Sequence, residues 1–227
     1  MKERLQQVKN RMAAAATACG RDSDSVRLVA VSKTVDADRV ARAIKAGADI
    51  LGENYIQEAR DKFNALYDRP VAWHFIGHLQ SNKAKYAVRM FELIHSVDSY
   101  KLAKTLNKEA AKNDKVQDIL IQVNISQEET KSGIDAAEAI ELLTRIGTLE
   151  NVRVKGLMTM PPFFDQPEKA RPYFRQLARL RNRIAEAGIP NVDMEELSMG
   201  MTGDFEVAIA EGATLVRIGT AIFGARQ

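Results

Sequence analysis

The sequence has a single cysteine, Cys19, among its 227 residues. One thiol excludes an internal disulfide and any metal site that is built from several cysteines. No apolar run approaches the ~20 residues that a membrane span requires. Charge of one sign is also lacking, since 33 lysines and arginines face 30 aspartates and glutamates, for a net charge of +3. This balance is not that of a protein that binds nucleic-acid phosphates. We therefore expect a cytoplasmic protein that binds neither nucleic acid nor membranes.

Short apolar runs alternate with longer amphipathic stretches along most of the chain. Runs that are apolar on both faces, bounded by glycine and separated by helical patterns, indicate a parallel sheet that is covered on both sides. The runs lie at 28–31, 49–52, 72–77, 93–97, 118–125, 152–158, 194–199 and 214–219. Eight of them predict a closed (β/α)8 barrel, the TIM-barrel fold. An open doubly wound sheet is the alternative, but it usually has a glycine-rich turn after its first strand, where this chain has Ser32-Lys33-Thr34.

The residues ahead of the first run have the pattern of one more helix. Leu5, Val8 and Met12 recur at helical spacing, and Gly20 is a typical stop. No linker or low-complexity segment divides the chain. We therefore predict one α/β domain over residues 1–227, a single (β/α)8 barrel with an additional N-terminal helix.

Lys33 closes the first apolar run and precedes a polar helical stretch. Burial depresses the pKa of a lysine because the ammonium form loses its hydration, and a neutral amine can condense with an aldehyde or ketone. The position therefore suits a Schiff base. A lysine that extends past the strand end into solvent is the simpler interpretation of this run alone.

Two glycine-containing turns follow the last two runs, where (β/α)8 barrels most often bind a phosphate. One spans 198–203 and precedes a predicted helix at about 204–211, and the other is Gly219-Thr220. Free backbone N–H groups in such turns favour an anion. Ordinary turn chemistry is the alternative, and Asp204 and Glu206 would repel a phosphate unless they point outward.

Arg217 lies within the eighth run, where a buried guanidinium requires a partner. That partner is a carboxylate such as Glu195, a phosphate, or the ring nitrogen of a pyridine cofactor. An amine for imine formation, two turns for a phosphate and a cation for the ring are together typical of a site for pyridoxal 5′-phosphate (PLP).

Several segments of the chain resemble the pyridoxal phosphate homeostasis proteins, a family similar to the barrel domain of bacterial alanine racemases. The matching segments are VAVSK (29–33), LGENY (51–55), HFIGHLQSNK (74–83), QVN (122–124), KSG (131–133), GLM (156–158), LSMGM (197–201) and VRIGT (216–220). Together they cover nearly the whole chain, and the third is long. Thr202 stands where the family frequently has serine, which retains the hydroxyl.

The resemblance implies a role for six residues. Lys33 would carry PLP as an aldimine, and Asn54 would lie beside the cofactor. Arg217 would sit by the pyridine nitrogen. Ser198, Gly219 and Thr220 would hold the phosphate.

The resemblance also implies that the protein buffers PLP or delivers it to PLP-dependent apoenzymes, without robust catalysis. An arginine at the ring nitrogen would keep that nitrogen unprotonated and weaken the ring as an electron sink. A racemase also requires a second acid–base group, which racemising relatives take from a separate β-domain, and Tyr55 is the one tyrosine here that falls near a strand end. An amino-acid racemase and a Schiff-base aldolase are the enzyme alternatives. We expect a monomer.

Five further residues have chemistry that these roles leave unused. His78 follows a strand end and is either a general base or, as we prefer, a hydrogen-bonded structural histidine. His74 and His95 fall within apolar runs and are interpreted as core groups with satisfied hydrogen bonds. Lys83 and Lys131 are secondary sites for an aldehyde. No set of residues has the spacing of metal ligands.

Overall fold

A computed structural model describes residues 1–126, 128 and 132–224 of the chain. Its strands form one closed barrel in which each strand pairs in parallel with the next and the eighth pairs with the first. The strands are β1 (Arg27–Val31), β2 (Ile50–Glu53), β3 (Ala72–Phe75), β4 (Leu93–Val97), β5 (Gln117–Gln122), β6 (Val152–Met158), β7 (Val192–Ser198) and β8 (Leu215–Ile218). The predicted (β/α)8 barrel is confirmed, and the open doubly wound sheet is wrong.

Helices surround the barrel. They are α1 (Lys2–Ala18), α2 (Ala37–Lys45), α3 (Ile56–Ala65), α4 (Ala84–Met90), α5 (Tyr100–Ala111), α6 (Ala139–Ile146), α7 (Arg171–Glu186), α8 (Phe205–Ala210) and α9 (Thr220–Phe223). Among the described residues, no helix has both the length and the apolar character that crossing a bilayer demands.

The predicted N-terminal helix is α1, which packs on the outside of the barrel. Leu5, Val8 and Met12 are buried on one face of it, as their spacing predicts. The Arg11 guanidinium lies over the Phe205 ring at 4.7 Å and forms a 2.6 Å ion pair with Glu206. α1 therefore covers α8, and Glu206 points away from the barrel mouth.

Side chains alternate along each strand between the barrel interior and the helices. The interior cluster consists of Val29, Ile50, Leu93, Leu120, Met158 and Leu215. Their chain neighbours Ala30, Leu51 and Ile94 belong instead to the cluster that packs beneath the helices. This alternation decides which residues beyond the strand ends face the barrel axis.

Candidate cofactor-binding site

The C-terminal ends of the strands surround a cavity of about 460 Å³. Lys33 has the same alternation as Val29 and Val31, so its side chain comes to the mouth of the barrel, where it lines the cavity. Asn54 and Arg217 reach the cavity by the same alternation from β2 and β8. The remaining wall comprises Val31, Ile76, Gly77, His78, Gln122, Ser132, Met160, Phe163, Phe164, Met201, Thr202, Gly203, Asp204, Gly219 and Thr220. Five of the six predicted site residues thus meet at one cavity.

The turn that carries Lys33 is held from both sides by a buried cluster of charges. Lys62 on α3 donates to the carbonyl oxygen of Ser32 at 2.5 Å and to Oε1 of Glu58 at 2.7 Å. The same Glu58 oxygen accepts the backbone N–H of Thr34, a residue with a φ of +62°. The residues before and after Lys33 are therefore both tied to Lys62, which constrains the position of the amine.

Glu53 completes this cluster beneath the turn. Its Oε1 lies 2.8 Å from Lys62 Nζ and accepts the Ser32 hydroxyl at 2.5 Å, whereas its Oε2 is buried without a partner among the described residues. Burial raises the pKa of Glu53. The sequence interpretation missed this pair. The available signal was a glutamate at the end of an apolar run, because a buried carboxylate requires a cation nearby.

Arg217 is 4% exposed and is held by neutral acceptors. Its Nη1 donates to Ser198 Oγ at 2.6 Å, and its Nη2 donates to the Thr159 carbonyl at 2.9 Å. Burial lowers the pKa of Arg217 to about 10, so the guanidinium stays charged at neutral pH. The suggested partner Glu195 is wrong, because that carboxylate lies 2.6 Å from Lys155 Nζ.

The two predicted phosphate turns meet at the cavity wall. Thr220 Oγ1 lies 3.2 Å from Thr202 Oγ1, which joins the turns after β7 and β8. Asp204 faces the first of these turns, where its carboxylate accepts the Met201 N–H at 2.6 Å. Burial raises the pKa of Asp204. Hydroxyls and glycine backbone thus share this part of the wall with one acidic group.

Ser198 is the one predicted site residue that is absent from the cavity wall. The residue is fully buried, and its Oγ is engaged by Arg217 and by His95 Nδ1, the latter at 2.8 Å. Its hydroxyl therefore lies in the barrel interior. The contact between Ser198 and the phosphate stays a prediction, and the position of the Ser198 hydroxyl does not support it.

Asn54 approaches the cavity beside the end of β3. Its Oδ1 is buried and has no partner among the residues that the structure describes. The backbone of Gly77 passes so close that a Cβ atom there would lie 2.2 Å from the Asn54 carbonyl oxygen. Glycine is therefore required at 77 to bring the two strand ends together.

The other candidate residues differ in burial and in whether they line the cavity. His78 is exposed on the cavity wall and forms no hydrogen bond to the described part of the chain, so its preferred interpretation as a hydrogen-bonded structural residue stays a prediction. His74 and His95 are buried core groups that bond each other at 3.0 Å, as predicted. Lys83 is exposed and away from the cavity, and Lys131 lies outside the described residues. Tyr55 is also exposed and does not line the cavity.

Comparison with known proteins identifies the family. Residues 4–227 match the family described as alanine racemase, N-terminal domain. The pyridoxal phosphate homeostasis protein of Aquifex aeolicus is 46% identical over 99% of this chain and 98% of its own. The chain belongs to the pyridoxal phosphate homeostasis protein family. Its relative in Escherichia coli K12 is 44% identical over 98% of this chain and 95% of that protein.

A solved member of the same group has been captured with its ligand. The structure of PipY from Synechococcus elongatus with PLP bound is 35% identical and superposes with a TM-score of 0.82, covering 94% of this chain and all of that one. The resemblance inferred from the sequence segments is therefore confirmed at the level of family and fold.

Proposed function

We propose that this chain binds pyridoxal 5′-phosphate in the cavity at the barrel mouth and acts in intracellular PLP homeostasis. One observation carries the proposal: Lys33, Arg217, Thr202 and Thr220 line the same cavity. In the binding step the Lys33 amine condenses with the aldehyde of PLP, forming a carbon–nitrogen double bond and releasing water.

The residues present fit this ligand. The cavity volume of about 460 Å³ is within the range of small-ligand sites, ~300–1,000 Å³. Thr202, Thr220 and the backbone at Gly219 would bind the phosphate, and Arg217 would donate to the ring nitrogen. Asn54 has a buried polar atom without a partner among the described residues, which a hydrogen-bonding group on the ligand would satisfy.

Arg217 also supports a role in binding over robust catalysis. A guanidinium can only donate hydrogen bonds, so it would hold the pyridine nitrogen in its unprotonated form. An unprotonated ring withdraws electrons weakly, which disfavours chemistry at the α-carbon of an amino acid. The names of the curated relatives, which refer to homeostasis, agree with this interpretation.

The mouth of the cavity supports delivery of PLP to recipient apoenzymes. Phe163, which lines the mouth, is 85% exposed, and Met160, which also lines the cavity, is 42% exposed. Exposed apolar groups around a site are suited to contact with another protein. We also infer a cytoplasmic location, in which an exposed free thiol such as Cys19 persists. We infer further that residues 1–227 form one binding domain and that the protein is a monomer.

Borohydride reduction tests the proposal. Wild-type protein mixed with PLP is expected to show an imine absorption band and, after reduction, to carry the adduct on the peptide that contains Lys33. Lys33→Ala is expected to lose this adduct and to bind PLP at least tenfold more weakly, because the covalent bond is absent. Lys83→Ala, which changes an exposed lysine away from the cavity, is the matched control. A wild-type adduct found mainly on another lysine contradicts the assignment of Lys33.

An amino-acid racemase is the second candidate, and the position of His78 on the cavity wall favours testing it. If the protein is a binding protein, PLP-loaded wild type exchanges the α-proton of amino acids in deuterated water no faster than free PLP does. Saturable exchange that falls at least tenfold in His78→Gln would identify a catalytic histidine and reject our interpretation. NMR of common amino acids measures this exchange.

A further inference from the structure

A hydrogen-bonded row of four side chains crosses the barrel interior below the cavity. Arg217 Nη1 donates to Ser198 Oγ at 2.6 Å, and Ser198 Oγ lies 2.8 Å from His95 Nδ1. His95 Nε2 then lies 3.0 Å from His74 Nδ1. Each of the four residues is at most 4% exposed. β8, β7, β4 and β3 each contribute one of them.

Two facts set the direction of the hydrogen bonds in this row. Arginine has only donors, so Ser198 accepts from Arg217. The buried Ser198 proton requires an acceptor, and among the described residues His95 Nδ1 is the acceptor at hydrogen-bond distance from Oγ. Burial holds the pKa of His95 well below its usual value, so the ring is neutral and its single proton is on Nε2. That proton is donated to His74 Nδ1. His74 is neutral as well, because burial lowers its pKa to about 3, and it carries its proton on Nε2.

The far end of the row reaches the opposite side of the barrel. His74 lines a second cavity together with Arg27, Asp49, Ile50 and Ala72, residues at the starts of strands. The row therefore extends from the C-terminal mouth, where Arg217 lines the ligand cavity, to the N-terminal end. Its members are packed into the core.

We propose that Ser198, His95 and His74 are positioning residues for Arg217, which fix the guanidinium so that it donates to the ring nitrogen of bound PLP. The inference rests on the proposed function. Ser198 and Thr159 occupy one hydrogen on each Nη nitrogen. The guanidinium has five N–H groups, so three remain, and the residue lines the cavity. Every partner in the row is neutral, and Asp204, a carboxylate that acts on the Arg217 charge, lies on the cavity wall outside the row.

The arrangement explains why a serine at the end of β7 belongs to the ring-nitrogen contact instead of the phosphate site. Its hydroxyl has one proton, and the row directs that proton to His95. An alanine at this position would leave Arg217 Nη1 and His95 Nδ1 without partners in a buried place, and each would turn toward another group. A displaced guanidinium would lose its contact with the ring nitrogen and leave contacts elsewhere on the ligand intact.

A PLP analogue in which C–H replaces the ring nitrogen tests this inference. Wild type is expected to bind PLP at least tenfold more tightly than the analogue, because a hydrogen bond from a charged donor is lost. Ser198→Ala and His95→Phe are expected to bring this affinity ratio close to one, mainly by weakening PLP binding. Equilibrium titration of each variant with both ligands provides the ratio.

Ser96→Ala is the matched control. Ser96 neighbours His95 on β4, is equally buried, and its Oγ has no partner among the described residues. The control is expected to keep the wild-type ratio. If Ser198→Ala and His95→Phe also keep it while Lys33 still carries the reduced adduct, the positioning role is rejected and the proposed function stands. If wild type neither binds PLP nor carries the reduced adduct, the positioning role and the proposed function are both rejected.

The protonation of the histidines provides a measurement that requires no variant and no ligand. Nitrogen-15 NMR at neutral pH is expected to show a neutral imidazole with its proton on Nε2 for both His74 and His95. A proton on Nδ1 of His95 would reverse the second bond of the row and overturn the inference. This measurement tests the direction of the hydrogen bonds in the row even if a core variant fails to fold.

Discussion

Lowering the pH from 7 to 5 is expected to cost the protein about 2 kcal/mol of its free energy of unfolding through His74, and a further loss in the same direction through His95. Burial lowers the pKa of His74 to about 3 and that of His95 well below its ordinary value. In the unfolded chain both groups titrate near ~6.5. The unfolded state therefore binds protons at pH values at which the folded state does not bind them, so acid favours unfolding.

The range of the effect follows from these values. The stabilising contribution of the two buried histidines is fully present above pH ~7 and falls below the unfolded pKa of ~6.5, for His74 by about 1.4 kcal/mol per pH unit. For His74 the loss continues down to its folded pKa of about 3. Glu53 and Asp204, whose pKa values are raised by burial, act in the opposite direction. Urea unfolding at several pH values between 5 and 7.5 measures the net slope.

Replacing one of the two buried histidines tests this assignment. His74→Gln should reduce the pH slope, whatever it does to stability at pH 7, because one of the two buried titrating groups is gone. A slope that is unchanged in His74→Gln would contradict the assignment of the buried pair.

The barrel could be predicted because its determinants are local. Each of the eight apolar runs became a strand, and the strand ends that the sequence marks with polar residues do converge. Lys33 and Asn54 could be placed at the mouth because the alternation of a strand continues one step past its end. The same rule places Arg217 in the interior.

Ser198 and Glu195 were harder to place because their orientation depends on pairing between distant strands. The β6–β7 register shifts between Val154 and Gly156, and such an irregularity changes which residues of a strand face inward. Glu195 consequently lies outside with Lys155, whereas Ser198 lies inside with His95. A single sequence contains no local signal for that shift.

Lys62 was missed for a related reason. The helix that contains it was predicted, and Lys62 lies three residues after the buried Ala59 on the same face. A helical pattern alone cannot show which acid such a lysine meets, since Glu53, Glu58 and Asp61 are all near it in sequence. The contact with Glu53 exists because β2 and α3 pack together, and the barrel brings Ser32 beside them.

Replacing Lys62 by methionine is expected to destabilise the protein by about 3–5 kcal/mol, the usual cost of removing one partner from a buried ion pair. Lys62 is 5% exposed and Glu53 is fully buried, so water cannot replace the ammonium group. The carboxylate would have to take up a proton or draw solvent into the core. Chemical denaturation at pH 7 measures the loss.

Two variants make this prediction specific. Lys83→Met removes an exposed lysine and is expected to change stability by less than about 0.5 kcal/mol. The double variant Lys62→Met/Glu53→Gln removes the uncompensated charge and should recover part of the loss, because a neutral amide is far less costly to bury than an unpaired carboxylate. A double variant that is less stable than Lys62→Met alone would show that the charge of Glu53 is not the cause.

The Lys62→Met change should also affect the ligand site, through the backbone of the turn that carries Lys33. Lys62 bonds the carbonyl of Ser32 directly and the N–H of Thr34 through Glu58, so its loss frees the turn on both sides of Lys33. A less constrained amine pays more conformational entropy when it forms a bond to the ligand. Imine formation in folded Lys62→Met, followed by stopped-flow absorbance below its unfolding range, should therefore be slower than in wild type, whereas Lys83→Met should match wild type. An unchanged rate would mean that the cluster stabilises the fold without ordering the lysine.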